Sequence, residues 1–125
     1  MKIDDETAEK LRPWFSNLDI QSVKLVHGGP VCWFVRSVVK QGAMTVAPYV
    51  FYGKSSFDPS RVRSLALLAH ELKHVEQYRE RGHLGFLLKY LIDKARNGFK
   101  YSETLPLEQQ AYELQREVEK KLTIP

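Results

Sequence analysis

Two histidines and a glutamate near the middle of the chain have the spacing of a zinc site. His70 and His74 lie four residues apart and Glu71 directly follows the first histidine, which gives the pattern HExxH. On an α-helix, residues four apart project from one face, one turn above the other. The two imidazoles could therefore bind one Zn²⁺, and the Glu71 carboxylate could accept a proton from a water beside the metal.

A catalytic zinc site needs a third protein ligand, which must come from elsewhere in the chain. Glu108 is favoured because it falls at the inner edge of a predicted C-terminal helix, whereas Glu113 falls on the side expected to face solvent. Acidic residues also favour the first turn of a helix for electrostatic reasons alone, so Glu108 has a structural explanation as well. The other candidates by residue type are His83, Glu103 and Glu117.

A helix covered on more than one side is predicted to carry the motif, from about residue 60 to 81. At about 100° per residue, its apolar side chains form one face, and Glu71 falls among leucines. Such surroundings should raise the pKa of the Glu71 carboxyl toward the range useful for a general base. A surface histidine pair that binds no metal is the alternative, and this placement of Glu71 disfavours it. The predicted apolar face comprises Leu65, Leu68, Leu72 and Val75.

The rest of the sequence predicts a short sheet before this helix and two helices after it. We divide the chain, as a single domain of residues 1–125, into an N-terminal helical segment (1–21), strands (22–57) and helices (58–125). Within the strand region, periodicity does not decide between helix and strand for residues 31–39. The predicted fold class is α+β, a short antiparallel sheet packed on a central HExxH helix with two further C-terminal helices.

The first of those two helices, predicted at about residues 83–96, is strongly apolar with a narrow basic side. A helix of this composition could lie on a membrane surface. A second core helix packed on the motif helix is favoured, because a chain of 125 residues needs these side chains to close its core.

Composition narrows the classes of partner and the compartment. The net charge is +4 and 43% of residues are hydrophobic, which is typical of a soluble globular protein. No nucleic-acid-binding motif occurs, so no nucleic-acid partner is predicted. No secretory signal and no membrane-spanning run is apparent, which predicts a cytoplasmic protein without stable membrane insertion. Cys32 is the only cysteine, which excludes an intrachain disulfide and a cysteine-rich zinc site.

Two stretches carry a resemblance to a known group: LAHELKHVEQYR at residues 68–79 and PLEQQAY at residues 106–112. They resemble the small zincin-like core domain of extracellular contractile injection systems, a domain of unknown function. More broadly, they are similar to gluzincin metallopeptidases, whose HExxH helix is completed by a glutamate on a later helix. The resemblance covers about residues 22–115.

The resemblance implies zinc bound by His70, His74 and Glu108, with Glu71 as the base. It also implies that the strand region from Thr45 to Tyr52 holds an extended peptide along a sheet edge. Larger gluzincins carry an asparagine before the third ligand and an aspartate after it. Here Leu107 precedes Glu108 and no aspartate follows.

Three hypotheses for function follow. The leading one is a zinc-dependent metallopeptidase that acts on a peptide or protein substrate, with Tyr112 as the candidate that stabilises the transition state; Tyr101 and His83 are further candidates. The second is a catalytically silent zinc-binding interaction module, which the small size favours. The third is a basic protein that associates peripherally with membranes through residues 84–96.

Overall fold

The chain forms a small sheet and four helices in the part that the structure, a computed structural model, describes: residues 1–96 and 105–123. Short 3₁₀ and π-helical turns connect several of these elements. This content confirms the predicted α+β class. In chain order, the elements are α1 (Asp5–Leu11), β1 (Lys24–Val26), α2 (Pro30–Phe34), β2 (Ala43–Val46), β3 (Tyr49–Tyr52), α3 (Val62–Arg96) and α4 (Pro106–Thr123).

Helix α1 has a defined start and a defined stop. The Asp4 side chain accepts a hydrogen bond from the Thr7 amide at 2.8 Å, which satisfies one of the free donors at the helix N-terminus. The α-helix ends at Leu11, and a 3₁₀ turn that contains Pro13 follows. Proline has no amide hydrogen to continue the helical ladder, which accounts for the end of the α-helix here.

The sheet has three strands in the order β1-β3-β2. The predicted sheet was antiparallel. β2 and β3, on either side of Ala47 and Pro48, do pair in this way, but β1 pairs with β3 in parallel, which makes the sheet mixed. The helix α2 between β1 and the hairpin permits this arrangement, because parallel strands need a crossover connection. The region of residues 31–39, which periodicity left undecided, is thus helical: it comprises most of α2 and a π-helical turn.

The two edges of the sheet differ. On the β1 side, the chain start lies alongside the strand: the Leu25 amide donates to the Met1 carbonyl at 2.9 Å, and Lys2 bridges to Lys24. On the other side, β2 is the edge strand and packs beside α3. The sheet edge that borders the HExxH helix is therefore β2.

Helix α3 is divided in two by Gly82, whose φ of 73° and ψ of 165° are not helical. We call residues 62–81 the motif segment and residues 83–96 the distal segment. The motif segment begins two residues later than predicted, and its predicted apolar face is confirmed. The four side chains of that face, Leu65, Leu68, Leu72 and Val75, are all buried.

The distal segment contradicts the prediction of a second core helix. Its inward side is formed by Phe86 and Asp93, which are seven residues apart and therefore lie on one face. Because these two side chains face inward, the opposite, leucine-rich side of the segment faces the surface. The exposed apolar side chains are Leu84, Leu87, Leu88, Leu91 and Ile92.

Helix α4 packs against α3 through an apolar stripe. Leu107, Ala111 and Val118 are buried, and Leu114 and Leu122 pack against the core. The main core joins α1, the sheet and the motif segment with Val118, and a smaller cluster of Tyr78, Phe86 and Leu107 lies near the start of α4. Within residues 1–96 and 105–123, none of the helices is long and apolar enough to cross a bilayer.

Candidate metal centre

Three side chains from two helices meet at one point. The Nε2 atoms of His70 and His74 lie 3.4 and 2.7 Å from the same oxygen, Oε1 of Glu108. The histidines come from the motif segment of α3 and the glutamate from the first turn of α4. All three residues are less than 8% exposed. The structure thus brings Glu108 to the histidine pair, as its position on α4 predicted.

Two glutamines orient the imidazole rings. The Nδ1 atom of His70 lies 2.8 Å from the Gln115 side-chain oxygen, and that of His74 lies 2.8 Å from the Gln77 side-chain oxygen. An amide oxygen can only accept, so each Nδ1 carries the proton and donates it. In the neutral imidazole, the Nε2 lone pair then points at the shared centre, which is the arrangement a metal ligand needs.

Gln77 also fixes the start of α4 against α3. Its side-chain nitrogen donates to the Leu107 carbonyl and to the Gln110 side chain, both at 3.0 Å. These two bonds fix which end of the Gln77 amide faces His74. Ala111, one turn beyond Glu108, is fully buried, and its small side chain permits the close approach of the two helices.

Glu71 lies beside this centre, almost fully buried. Together with His70 and His74 it forms a group whose ligand atoms are all within 4.8 Å of one another. Burial raises the pKa of the Glu71 carboxyl, against the opposing effects of His74 and His70, which confirms the expected direction. The Thr45 hydroxyl of β2 lies 3.3 Å from both Oε1 and the backbone oxygen of Glu71, so the edge strand contacts the carboxylate.

The electrostatics of the cluster favour a positive charge at its centre. Burial acts to raise the pKa of Glu108, but the hydrogen bonds to His70 and His74 outweigh it and lower that pKa to about 2. Burial acts to lower the pKa of His74, but the hydrogen bond to Glu108 and the charge of Glu71 outweigh it and raise that pKa. Glu108 is thus an anion, and its charge beside the two Nε2 atoms suits either a protonated imidazole or a bound cation.

The geometry fits a metal ion in that position. Zinc bonds of 2.0–2.1 Å in a tetrahedral arrangement place neighbouring donor atoms about 3.3 Å apart. The separation of His70 Nε2 from the Glu108 oxygen, 3.4 Å, already has this value. The 2.7 Å separation at His74 would have to open by roughly 0.6 Å. Imidazole and carboxylate donors suit zinc and other divalent first-row metals.

A cleft of about 550 Å³ opens onto the centre. One of its walls is the edge strand β2, and another is the distal segment of α3. Its floor includes both histidines, Glu71 and Glu108. The other lining side chains include Val39, Met44, Val46, Tyr78, Phe86, Leu87, Tyr90 and Lys94.

Tyr112 and His83, two of the candidates predicted to stabilise the transition state, lie in different places. Tyr112 packs its ring edge-to-face on His70, with ring centroids 4.4 Å apart. His83 is engaged elsewhere, since its Nε2 lies 2.7 Å from the Ala47 carbonyl. Tyr101 lies outside the described residues. Of the two candidates that the structure describes, Tyr112 is therefore the one that lies against the centre.

The two remaining glutamate candidates that the structure describes face solvent. Glu113 is exposed and accepts a hydrogen bond from Gln109 at 3.2 Å. Glu117 is also exposed. Glu103 lies outside the residues that the structure describes.

Sequence reasoning missed the residues that support the centre. Gln115 lies seven residues after Glu108, which puts it on the same face of α4, two turns further along. Gln77 lies three residues after His74, so it shares that histidine's face. Thr45, Tyr78 and Tyr90 gave no comparable signal, because only the fold brings them to the cleft.

The chain matches the family model of the eCIS core domain over residues 2–82. It belongs to this family. The match includes the three strands and the HExxH pattern, and it ends at Gly82, where α3 is broken. Glu108 and α4 lie beyond it. Neither the curated proteins nor the solved structures gave a match.

Proposed function

We propose that this eCIS core domain protein is a zinc-dependent peptidase. The observation that carries the proposal is the convergence of His70, His74 and Glu108 beside a buried glutamate, Glu71, at the base of an open cleft. The first three would bind the metal. The pKa of the Glu71 carboxyl is raised, as a proton-transferring group requires. Because the other three side chains would bind the metal, Glu71 is not needed as a ligand.

A zinc ion bound there would lower the pKa of a water molecule toward about 7 and polarise the scissile carbonyl. Glu71 would accept the proton of the attacking water and later donate it to the leaving amine. The Thr45 hydroxyl, 3.3 Å from Oε1, would orient the carboxylate between these two transfers. Tyr112, which packs on His70, is our candidate donor to the developing oxyanion, and Tyr78 and Tyr90 line the same cleft.

The edge strand supports an extended peptide as the substrate. In an antiparallel pair, hydrogen-bonded residue pairs alternate with non-bonded ones. The Gly53 amide donates to the Gly42 carbonyl at 2.8 Å, so the backbone of Thr45, three residues further along β2, points away from β3 toward the cleft side. The Thr45 carbonyl accepts a hydrogen bond from the Tyr78 hydroxyl at 3.4 Å. A substrate segment would displace this hydroxyl, pair with the edge strand and pass across the metal.

The test is a comparison of three zinc-loaded proteins on a library of labelled unstructured peptides. The wild type should cleave, and Glu71→Gln should lose at least about 100-fold in rate while keeping its metal, because it cannot move the proton. Glu80→Gln, an exposed glutamate on the same helix, is the matched control and should cleave normally. Equal rates for wild type and Glu71→Gln would reject the mechanism.

A second candidate is an assembly module in which the metal is structural. The name of the family, which refers to an injection-system core, favours a role in protein assembly. In this second candidate function, we infer that the bound metal fixes α4 against α3 and so maintains a docking surface. A wild-type protein that binds zinc, cleaves nothing and loses its binding to other injection-system proteins when zinc is removed would support the assembly module over the peptidase.

A further inference from the structure

The distal segment of α3 is amphipathic, but its apolar face is exposed, whereas a core helix buries this face. Its leucine face, defined as Leu84, Leu87, Leu88, Leu91 and Ile92, points away from the protein. These positions follow the spacing i, i+3, i+4, i+7 and i+8, which places them on one continuous stripe. Leu84 is 80% exposed and Leu88 56%. Unlike scattered surface leucines, such a stripe indicates a surface that something else covers.

A second exposed apolar group borders the same cleft. The tryptophan patch, defined as Trp33, Phe34, Val38 and Val39, lies on α2 and the π-helical turn that follows it. Val39 of this patch and Leu87 of the leucine face both line the cleft. The two exposed apolar surfaces therefore reach the same cleft.

The charges around both surfaces have one sign. Residues 20–57, which include the tryptophan patch, contain no aspartate or glutamate and four lysines or arginines. The distal segment has one acidic residue, Asp93, which is buried and paired with Lys89 at 3.0 Å. Lys94 and Arg96 remain beside the leucine face. Each exposed apolar surface is thus bordered by basic side chains.

We propose that the leucine face lies on an anionic lipid surface, with the tryptophan patch as a second contact. Leucines on one side of a helix and lysines or arginines beside them are the pattern of an interfacial helix, and the positive border complements anionic headgroups. A second copy of this chain fits less well, because an isologous contact would bring basic borders together. The leucine face exposes on the order of 500 Å², which is a large patch for a monomer. That is below the roughly 800 Å² per partner of a standard protein interface.

Vesicle sedimentation tests the proposal with the full chain. The vesicles contain phosphatidylcholine alone or with roughly 30% phosphatidylglycerol. The wild type should pellet with the anionic vesicles and not with the neutral ones, and binding should weaken at about 0.5 M salt. Leu88→Glu should lower binding at least about tenfold, because it places a charge in the apolar stripe.

Two further variants separate this effect from folding and from net charge. Ser16→Glu makes a similar change in charge at an exposed turn and should bind as the wild type does. Arg96→Gln should weaken binding about fivefold, as expected for one basic residue near an anionic surface. Circular dichroism should give the same thermal midpoint for Leu88→Glu and wild type, since Leu88 lies outside the core.

Two results would overturn the proposal. One is failure of the wild type to pellet with anionic vesicles, or unchanged pelleting by Leu88→Glu. The other is a wild-type dimer in sedimentation velocity that Leu88→Glu dissociates, together with no vesicle binding; this would assign the leucine face to a second copy of the chain.

Discussion

The two segments of α3 depart from the usual relation between polarity and burial in opposite ways. The motif segment buries His70, Glu71, His74 and Gln77, whereas the distal segment exposes five leucine and isoleucine side chains. The motif segment packs against the sheet, α1 and α4, which supply partners for its polar groups. The distal segment contributes Phe86, with the partly buried Tyr90 packed against it, to the small cluster near the start of α4. Burial in this protein is therefore decided by which face meets a partner, and hydrophobicity alone does not predict it.

Leucine substitutions in the two segments should show the largest contrast in stability. Leu68→Ala removes a fully buried side chain of the main core and should lower the free energy of unfolding by about 2–5 kcal/mol. Leu88→Ala removes an exposed side chain and should change it by no more than about 0.5 kcal/mol. Urea unfolding of both variants measures the difference; equal destabilisation would show that the distal segment is packed after all.

Metal binding should stabilise the fold through the polar groups of the motif segment. A ligand that binds only the folded state contributes about 2.7 kcal/mol at 100 times its dissociation constant. Zinc should therefore raise the free energy of unfolding of the wild type, and this gain should largely disappear in Glu108→Gln. Glu113→Gln, on the solvent side of the same helix, should keep the full gain. A zinc effect that survives in Glu108→Gln would assign the third ligand elsewhere.

The glutamines behind the histidines should tune the metal affinity. Gln115→Leu removes the acceptor that orients His70 and should weaken zinc binding by about 10- to 100-fold. Gln109→Leu changes an exposed glutamine on the same helix and should leave the affinity unchanged. Competition with a chromophoric chelator gives both dissociation constants. Identical values would mean that Gln115 does not support the ligand.

Substitutions of Gly82, at the break between the segments, and of Gly85, three residues later, should have the smallest effects. They should change the free energy of unfolding in opposite directions. Gly82→Ala places a side chain at a φ of 73° and should cost about 1–2 kcal/mol. Gly85→Ala lies within the distal helix, where an added Cβ meets only Arg81 Cβ at 3.4 Å, so it should stabilise the protein by up to about 1 kcal/mol. Thermal unfolding distinguishes the two, and destabilisation by both would contradict the helical geometry at Gly85.

Periodicity predicted the elements whose apolar stripe packs on the core. The motif segment and α4 are examples, because each has one apolar stripe that packs on the core. The distal segment was predicted wrongly, because a periodic pattern does not say which side of a helix the fold covers. The parallel pairing of β1 was also missed, since it depends on the path of α2 across the sheet rather than on any strand's own residues.

The site was predictable where one helix carries the information. His70, Glu71 and His74 share a motif, and the angular position of Glu108 on α4 distinguished it from Glu113. Thr45 and the tyrosines of the cleft reach the centre through contacts between distant parts of the chain. No local pattern marks such residues before the fold is known.

Anomalous X-ray scattering at the zinc edge, from crystals of the zinc-loaded protein, would locate the metal relative to its three proposed ligands. We expect one peak per chain, about 2.0–2.1 Å from the Nε2 atoms of His70 and His74 and at bonding distance from an oxygen of Glu108. A peak that lacks Glu108 as a neighbour, or no peak between the two histidines, would contradict this expectation.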